Sequence, residues 1–350
     1  MSDGGRLKRL ADRLDDWHVV RILAALSHFA IIVTLIAFVI DLMAREEDRK
    51  RYLEEKAEWQ FGRLVAAWSL LTTKSSGNSG KITAINVLFG AGEDIVGVDL
   101  SCENNGGSLT ETPTLPSRSV LTCDRGVFLS GLEIRNATTA GRTLFSDSDL
   151  SGVNLSRSRL EGLTIRSAAF VGADITGLQI LNTTLDRVDF SRALGTPLDR
   201  PERPVRLLLE APDRERHIAR FTNVTFQNAN LSGARLFGAS FVGSEAVGID
   251  FAGTNLRDAD LGNVTFQGVR IDADTITEGV NISGATLRLL CQRRNRDHAM
   301  CKAKLAQMWA WSDRPPDVDP REDWRVWKAC PAALQTAYDE RGGLGVPSGC

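Results

Sequence analysis

Residues 145–190 read FSDSDLSGVNLSRSRLEGLTIRSAAFVGADITGLQILNTTLDRVDF, and every fifth position is Phe, Leu or Ile. The bulky residues are Phe145, Leu150, Leu155, Leu160, Ile165, Phe170, Ile175, Ile180, Leu185 and Phe190. The pattern resumes with Phe221, Phe226, Leu231, Leu236 and Phe241, lapses at Ala246, and continues through Phe251, Leu256, Leu261, Phe266, Ile271 and Ile276. A period of five fits neither a helix, at about 3.6, nor a flat strand, at about 2. It marks a repeat architecture in which the bulky residues form the core, and a solenoid of that kind is more often a surface than a reaction vessel.

Two residues before a bulky position the chain prefers something small or β-branched, as at Val224, Ala229, Ala234, Ala239, Thr254, Ala259, Val264 and Val269. The residue just before it is often Asn or Asp, as at Asn154, Asp174, Asp189, Asn230, Asp250, Asn255 and Asp260, and Ser or Gly commonly follows. Units such as Ala229-Asn-Leu-Ser-Gly233 and Ala259-Asp-Leu-Gly-Asn263 carry this grammar, which resembles that of the pentapeptide-repeat family over residues 95–290. The resemblance implies a mainly β fold, a right-handed quadrilateral β-helix in which four pentapeptides make one coil. Coils would then stack at the strand spacing of about 4.8 Å.

The two blocks differ in phase by one residue, and residues 191–220 hold the break. Pro197, Pro201, Pro204 and Pro212 fall there among six arginines from Arg200 to Arg220. The segment reads as an excursion, with the inserted loop at 194–219, and solenoid insertions are natural places for recognition. The β-helix is expected over 95–287, beginning with Val98-Asp-Leu100-Ser-Cys102 and a second turn at Val120-Leu121-Thr-Cys123, with Asn104–Ser119 as a loop. A short helix within 81–94 would cover one open end. Residues 288–350, with Cys291, Cys301, Cys330, Cys350 and four tryptophans, read as a small helical module covering the other.

Residues Ile22–Ile40 are apolar except for Ser27, His28 and Thr34. Nineteen residues at about 1.5 Å each match a bilayer's hydrocarbon thickness. The expected order is a tail at 1–18, a transmembrane helix at 19–43 and a juxtamembrane amphipathic helix at 44–74. In the last of these, Leu53, Ala57, Phe61, Leu64, Trp68 and Leu71 share one face. Lysines and arginines flank the span equally, five on each side, so the positive-inside rule does not choose an orientation. All six cysteines follow the span, which leans the repeat region toward an oxidising compartment, the periplasmic side of a bacterial inner membrane.

Chemical motifs are sparse. Gly77-Asn-Ser-Gly-Lys81 is not a phosphate loop: position 75 is Ser, Ile82 follows the lysine, and no strand precedes it. Together with Trp68-Ser-Leu-Leu71 it resembles a structural joint ahead of the first coil in membrane-anchored pentapeptide-repeat proteins. Cys291, His298 and Cys301 match no common zinc spacing, so no metal, cofactor or catalytic site is assigned. Cys102 and Cys123 each lie two residues after a core Leu. On the implied fold they should stack on adjacent coils within disulfide reach. Glu133–Arg288 carries 19 acidic residues against 17 arginines, a net of −2. That leaves little field for the alternative implied by some family members, mimicry of DNA toward an enzyme such as gyrase. The reading is a non-enzymatic, membrane-tethered scaffold or protein-interaction module. Its partners would be the lipid bilayer and a protein, with no nucleic acid, and a homo-oligomer is compatible with it.

Overall fold

The computed structural model describes residues 18–114, 118–136, 141–196, 217–288, 304, 308 and 317–318. The expected N-terminal tail, the heart of the 194–219 insertion and most of the 288–350 module lie outside these residues. The chain divides into two compact units, Met1–Arg63 and Leu64–Cys350.

Helix α1 runs unbroken over His18–Thr72. The apolar span and the charged segment after it are therefore one helix, with no break near residue 43. Its side chains from Leu26 to Met43 are exposed on every side, Phe29 by 66% and Ile36 by 54%. Further along, Leu53, Ala57 and Phe61 are also exposed, whereas Leu64, Ala67, Trp68 and Leu71 pack into the core of the second unit. One apolar stripe thus has two fates.

The second unit is built from parallel pairing between segments 20 residues apart. Thr164 pairs with Thr184, and Thr225 with Glu245, then Thr265 and Thr286. Three further columns climb beside this one: Asp149 to Ala169 to Asp189, Asn154 to Asp174 to Leu194, and Arg159 to Gln179 to Arg220. Each coil therefore passes four pairing columns before it meets itself again, and the stacked coils form a β-helix. One nine-stranded sheet extends from Ile95–Val96 to Asp317–Val318, and a four-stranded sheet lies on another side.

The five-residue grammar follows from this geometry. The bulky residues from Phe145 to Phe190 and from Phe221 to Ile271 lie inside, none more than 6% exposed. Rings stack between floors, Phe170 on Phe190 and Phe221 on Phe241, each pair at 4.8 Å between centroids. The small position also points inward, and where it carries a hydroxyl the group donates to a backbone carbonyl. Thr254 Oγ1 reaches Leu231 O at 2.7 Å and Ser244 Oγ reaches Phe221 O at 3.1 Å, so neither is left buried and unpaired. The Asp or Asn before the bulky residue accepts from the N–H two residues on: Asp149 from Ser151 at 2.9 Å, Asp174 from Thr176 at 3.0 Å, Asn230 from Ser232 at 3.0 Å. These are Asx turns that bend the chain at each corner. Two residues after the bulky position the backbone is left-handed, as at Asn223, Asn228, Asp258 and Asn263, which is why short polar residues and glycine recur there.

Three register details differ from the simple period. Phe145 is a β-bulge: Ile95 pairs with Leu144 and Val96 with Ser146, so Phe145 has no partner between them and takes φ 57°. Both Leu144 and Phe145 are buried, but Leu144 holds the column. The insertion sets neighbouring floors 41 residues apart instead of 20, an excess of 21. Twenty-one is four fives plus one, which explains the one-residue phase change between the blocks. Ile276 is not a core residue. Asn255 pairs with Ile276 and Asp260 with Asn281, 21 residues on, so Thr277 lies beneath Leu256 and Ile276 faces outward, half-buried. The extra residue is absorbed at Asp272–Thr275, one unit before the slip is visible in the sequence.

The first end of the stack is covered by a helix. Helix α2, Lys81–Gly90, buries Ala84, Ile85, Leu88 and Phe89 on the first coil. Arg142 donates to the carbonyls of Phe89 (2.6 Å) and Glu93 (2.9 Å) and lies 3.8 Å from the Phe89 ring centroid, satisfying the C-terminus of α2. At the other end Asp317–Val318 pairs with Thr286–Leu287, and Lys304 Nζ donates to Thr275 O at 2.7 Å.

The Asp272 turn can be tested by pH. Burial pushes this carboxyl up, but N–H groups of Gly253, Asp274 and Thr275 and the Thr275 hydroxyl outweigh it, and the group lies below its ordinary 3.8. A carboxylate depressed on folding contributes stability that is full above the unfolded value and lost as pH falls through the folded one. Urea midpoints should therefore drop below pH 3.8 by more in the natural protein than in Asp272→Ala, which should already be weaker at neutral pH. Parallel pH profiles would show that Asp272 does not hold the turn.

Candidate interaction surface

The flank of the β-helix carries a feature that period-five reading misses. Leu109–Thr114 and Arg118–Cys123 form an antiparallel hairpin, with Leu109 opposite Cys123 and Thr114 opposite Arg118. Sequence reading expects a loop over 104–119 and a coil turn at 120–123. The structure corrects both. Its signal is the run Leu-Thr-Glu-Thr-Pro-Thr114 facing Ser-Val-Leu-Thr-Cys123, rich in β-branched residues at strand period. The outer strand carries Glu111 and Pro113, a charge and a missing donor that discourage a further strand from adding there.

The hairpin lies along one corner of successive floors. A β-carbon at Gly152 (φ 71°) would fall 2.8 Å from Leu109 Cδ2 and 2.9 Å from Cys102 Cβ. One at Gly172 (φ 63°) would fall 2.5 Å from Leu121 Cβ. On the next floor Arg192 donates to Glu111 Oε1 at 2.5 Å and Ser119 Oγ at 2.9 Å, and its carbonyl accepts from Leu121 N–H at 3.3 Å. The guanidinium, through its hydrogen bond and its charge, holds the Glu111 carboxyl below its ordinary value. The corner is thus shaved to glycine where the hairpin touches it and ends in a charged clasp.

Cys102 and Cys123 meet here, but not as neighbours on adjacent coils. Cys102 belongs to the first coil, where its N–H donates to Ser151 O at 2.7 Å. Cys123 closes the hairpin. Their sulfurs are 1.92 Å apart and their Cα atoms 5.9 Å. Asp124 completes a cluster of three groups able to ligate a metal. Its carboxylate already accepts from Ser108 N–H at 2.7 Å, and the two sulfurs lie within bonding distance of each other, an arrangement that does not suit an ion.

The Gly77–Lys81 step forms a joint. Lys81 is 2% exposed, and its ammonium donates to the carbonyls of Leu71 (2.9 Å) and Thr73 (2.6 Å) at the C-terminal end of α1. Burial pulls its pKa below 10.5. Gly77 pairs with Val127, accepting from Phe128 N–H at 3.0 Å. The lysine so serves carbonyls that a helix end leaves unsatisfied.

The insertion leaves the coil after a second unusual patch. Gly195 takes the bulky position between Ile175 and Leu236, where a β-carbon would fall 2.8 Å from Leu236 Cδ2. Register turns Leu194, Thr196, Arg235 and Phe237 outward, yet Phe237 is 2% exposed and Arg235 5%. Thr196 Oγ1 donates to Phe237 O at 2.8 Å. Arginines at left-handed corners, Arg157 and Arg187, alternate with Asp149, Asp186 and Asp250 over the surface.

With this geometry in hand, the comparisons are specific about the repeat. The pentapeptide-repeat family model matches eight copies, over residues 143–177, 219–246 and 234–271. The chain carries the repeats of that family. No curated protein sequence matches it. Solved structures that are similar include QnrB1, a plasmid-mediated fluoroquinolone resistance protein, at 14% identity and TM-score 0.36, covering 62% of this chain and 91% of that one. A pentapeptide repeat protein of the Arabidopsis thaliana thylakoid lumen is 23% identical with TM-score 0.22, covering 45% and 73%. HetL of Nostoc sp. strain PCC 7120, involved in heterocyst differentiation regulation, is 17% identical with TM-score 0.17, covering 58% and 95%.

Two glycines at equivalent corners separate hairpin contact from backbone preference. Gly253 has φ 64°, but a β-carbon there would meet nothing nearer than 3.8 Å. Gly253→Ala should cost about 1 kcal/mol, the left-handed penalty alone. Gly172→Ala adds the collision with Leu121 and should cost about 2–4 kcal/mol. Equal losses in thermal or urea unfolding would remove the hairpin from that corner.

Proposed function

We propose that this chain, which carries pentapeptide repeats, is a non-enzymatic membrane-tethered scaffold that presents a protein-interaction surface. In this reading the coils wind as a right-handed quadrilateral. The bulky residues Phe145 to Phe190 and Phe221 to Ile271 serve the core and carry no chemistry. The flank bearing the hairpin and the patch flanking the 194–219 insertion would meet a protein partner. Residues 288–350 would act as a second cap. The contacts of Lys304 and Met308, and the pairing of Asp317–Val318 with the last coil, support that role.

One observation carries the tether. Residues 26–43 of α1 are apolar and exposed on all sides, a state that costs about 25 cal/mol per Å2 in water and none in hydrocarbon. A core helix would bury at least one face. The near-even charge of Glu133–Arg288 supports a protein partner over mimicry of a nucleic acid. The Cys102–Cys123 contact supports placing the repeats in an oxidising compartment, the periplasm if the membrane is a bacterial inner one.

Two measurements test this. Alkaline carbonate washing of membranes should leave the full chain in the pellet, with release only by detergent; release by carbonate would end the tether. Alkylation of the unreduced protein, mapped by mass spectrometry, should leave Cys102 and Cys123 unmodified until a reductant is added. Full labelling of both beforehand would place the repeats in a reducing compartment.

A further inference from the structure

The hairpin is an appendage to the stack. The continuous apolar core takes side chains up to Leu100 and again from Val127, and among the described residues none from the hairpin between them. Of the hairpin's described side chains only Val120 is buried, and it lies outside that core. The chain on either side is bound to the coils independently: Cys102 N–H donates to Ser151 O at 2.7 Å, and Gly126 O accepts from Gly77 N–H at 2.9 Å. Leu109 and Leu121 lie on the corner at Gly152 and Gly172 but are only half-buried. At the base of the hairpin Cys102 meets Cys123. Midway, Leu121 N–H reaches Arg192 O at 3.3 Å, a long hydrogen bond. Beyond it Arg192 meets Glu111 and Ser119, in an ion pair whose side chains are 32% and 66% exposed. Exposed pairs of this kind contribute little and are screened by salt. A two-stranded hairpin by itself is marginally stable at best in water. The cysteine pair is therefore the tie that decides whether the hairpin stays on the corner.

We propose that Cys102 and Cys123 form a redox-operated fastener for the hairpin. Oxidised, the pair closes a loop with a sequence separation of 21 and holds the hairpin on the Gly152–Gly172 corner. Reduced, it lets the hairpin leave, and the coils remain stacked because the hairpin contributes no described side chain to their core. Departure bares the glycine corner together with the carbonyl and guanidinium of Arg192, which the hairpin otherwise engages. The reductant is a dithiol. Cys102 is fully buried and Cys123 partly exposed, so the attacking thiolate meets Cys123 Sγ. The S–S bond breaks, Cys102 leaves as a thiolate and takes up a proton, and the reductant's second thiol displaces Cys123 as its own disulfide closes. The inference rests on the reading of this flank as an interaction surface in an oxidising compartment, and adds the state in which that surface is open.

Hydrogen exchange of the full chain in detergent, read by mass spectrometry, tests this. The purified protein is first oxidised, then compared with and without dithiothreitol. Amides in peptides from 109–123 should exchange at least about tenfold faster after reduction, while peptides from 145–190 and 221–271 keep their protection. Cys123→Ser should show the fast hairpin with or without the dithiol, which separates this pair from the other four cysteines. The same core peptides report whether that variant has folded. Unchanged exchange in the hairpin on reduction of the natural chain would show that the Arg192 clasp suffices, and overturns the fastener. Equal loss of protection over both repeat blocks overturns it as well, because the pair would then staple the whole unit. Oxidation beforehand makes this outcome independent of compartment. Alkylation in membranes reports on the compartment separately, so failure of one reading is not taken for failure of the other.

Discussion

Everything in the repeat unit depends on one constraint: a coil must return to the same place after 20 residues so that its bulky side chains fall beneath those of the previous floor. Pairing between floors fixes the rise, and the columns of Leu, Ile and Phe fill the interior it creates. Neither is sufficient alone. Parallel segments of three residues have too few hydrogen bonds to persist by themselves, and an unpaired column would expose its carbonyls. Stacking supplies both at once, which is why such units become stable only as a series. The stacked rings of Phe170 on Phe190 and Phe221 on Phe241 show the columns at their most regular.

Departures from the period are handled locally, and each has its own device. An extra residue near 145 becomes a bulge with both Leu144 and Phe145 inside. An extra residue near 272 becomes a turn organised by one carboxylate. Twenty-one extra residues after Thr196 leave the coil and return to it, and a glycine holds the place of the missing bulky residue. The ends need different chemistry, because backbone groups there have no next floor. Helix α2, with Arg142 at its C-terminus, answers this at the start. Lys81, buried among the last carbonyls of α1, ties that helix end to the start of α2 through two charge-assisted hydrogen bonds.

For function, the consequence is a division of labour. The interior is committed to packing. The described left-handed corners carry short polar residues, glycines and charges of both signs. Outside the repeat itself stand the hairpin clasped by Arg192, the insertion, and the long helix α1 that precedes the coils.

The sequence alone determined the β-helix and its core, because a five-residue period in bulky residues has no other economical explanation and each unit needs only its neighbours. It also determined the apolar helix, since length and composition suffice for that. The hairpin's β-branched run is legible in the sequence, but its seat on the corner at Gly152 and Gly172 is not, because those contacts join residues more than 40 positions apart. The side on which Ile276 faces was likewise decided by tertiary structure: the period continues through it, but the turn at Asp272 consumes a residue first. Lys81 read as a joint by resemblance, yet only the folded chain brings its ammonium to the carbonyls of Leu71 and Thr73. Local periodicity is written residue by residue; contacts that cross floors are written nowhere until the floors exist.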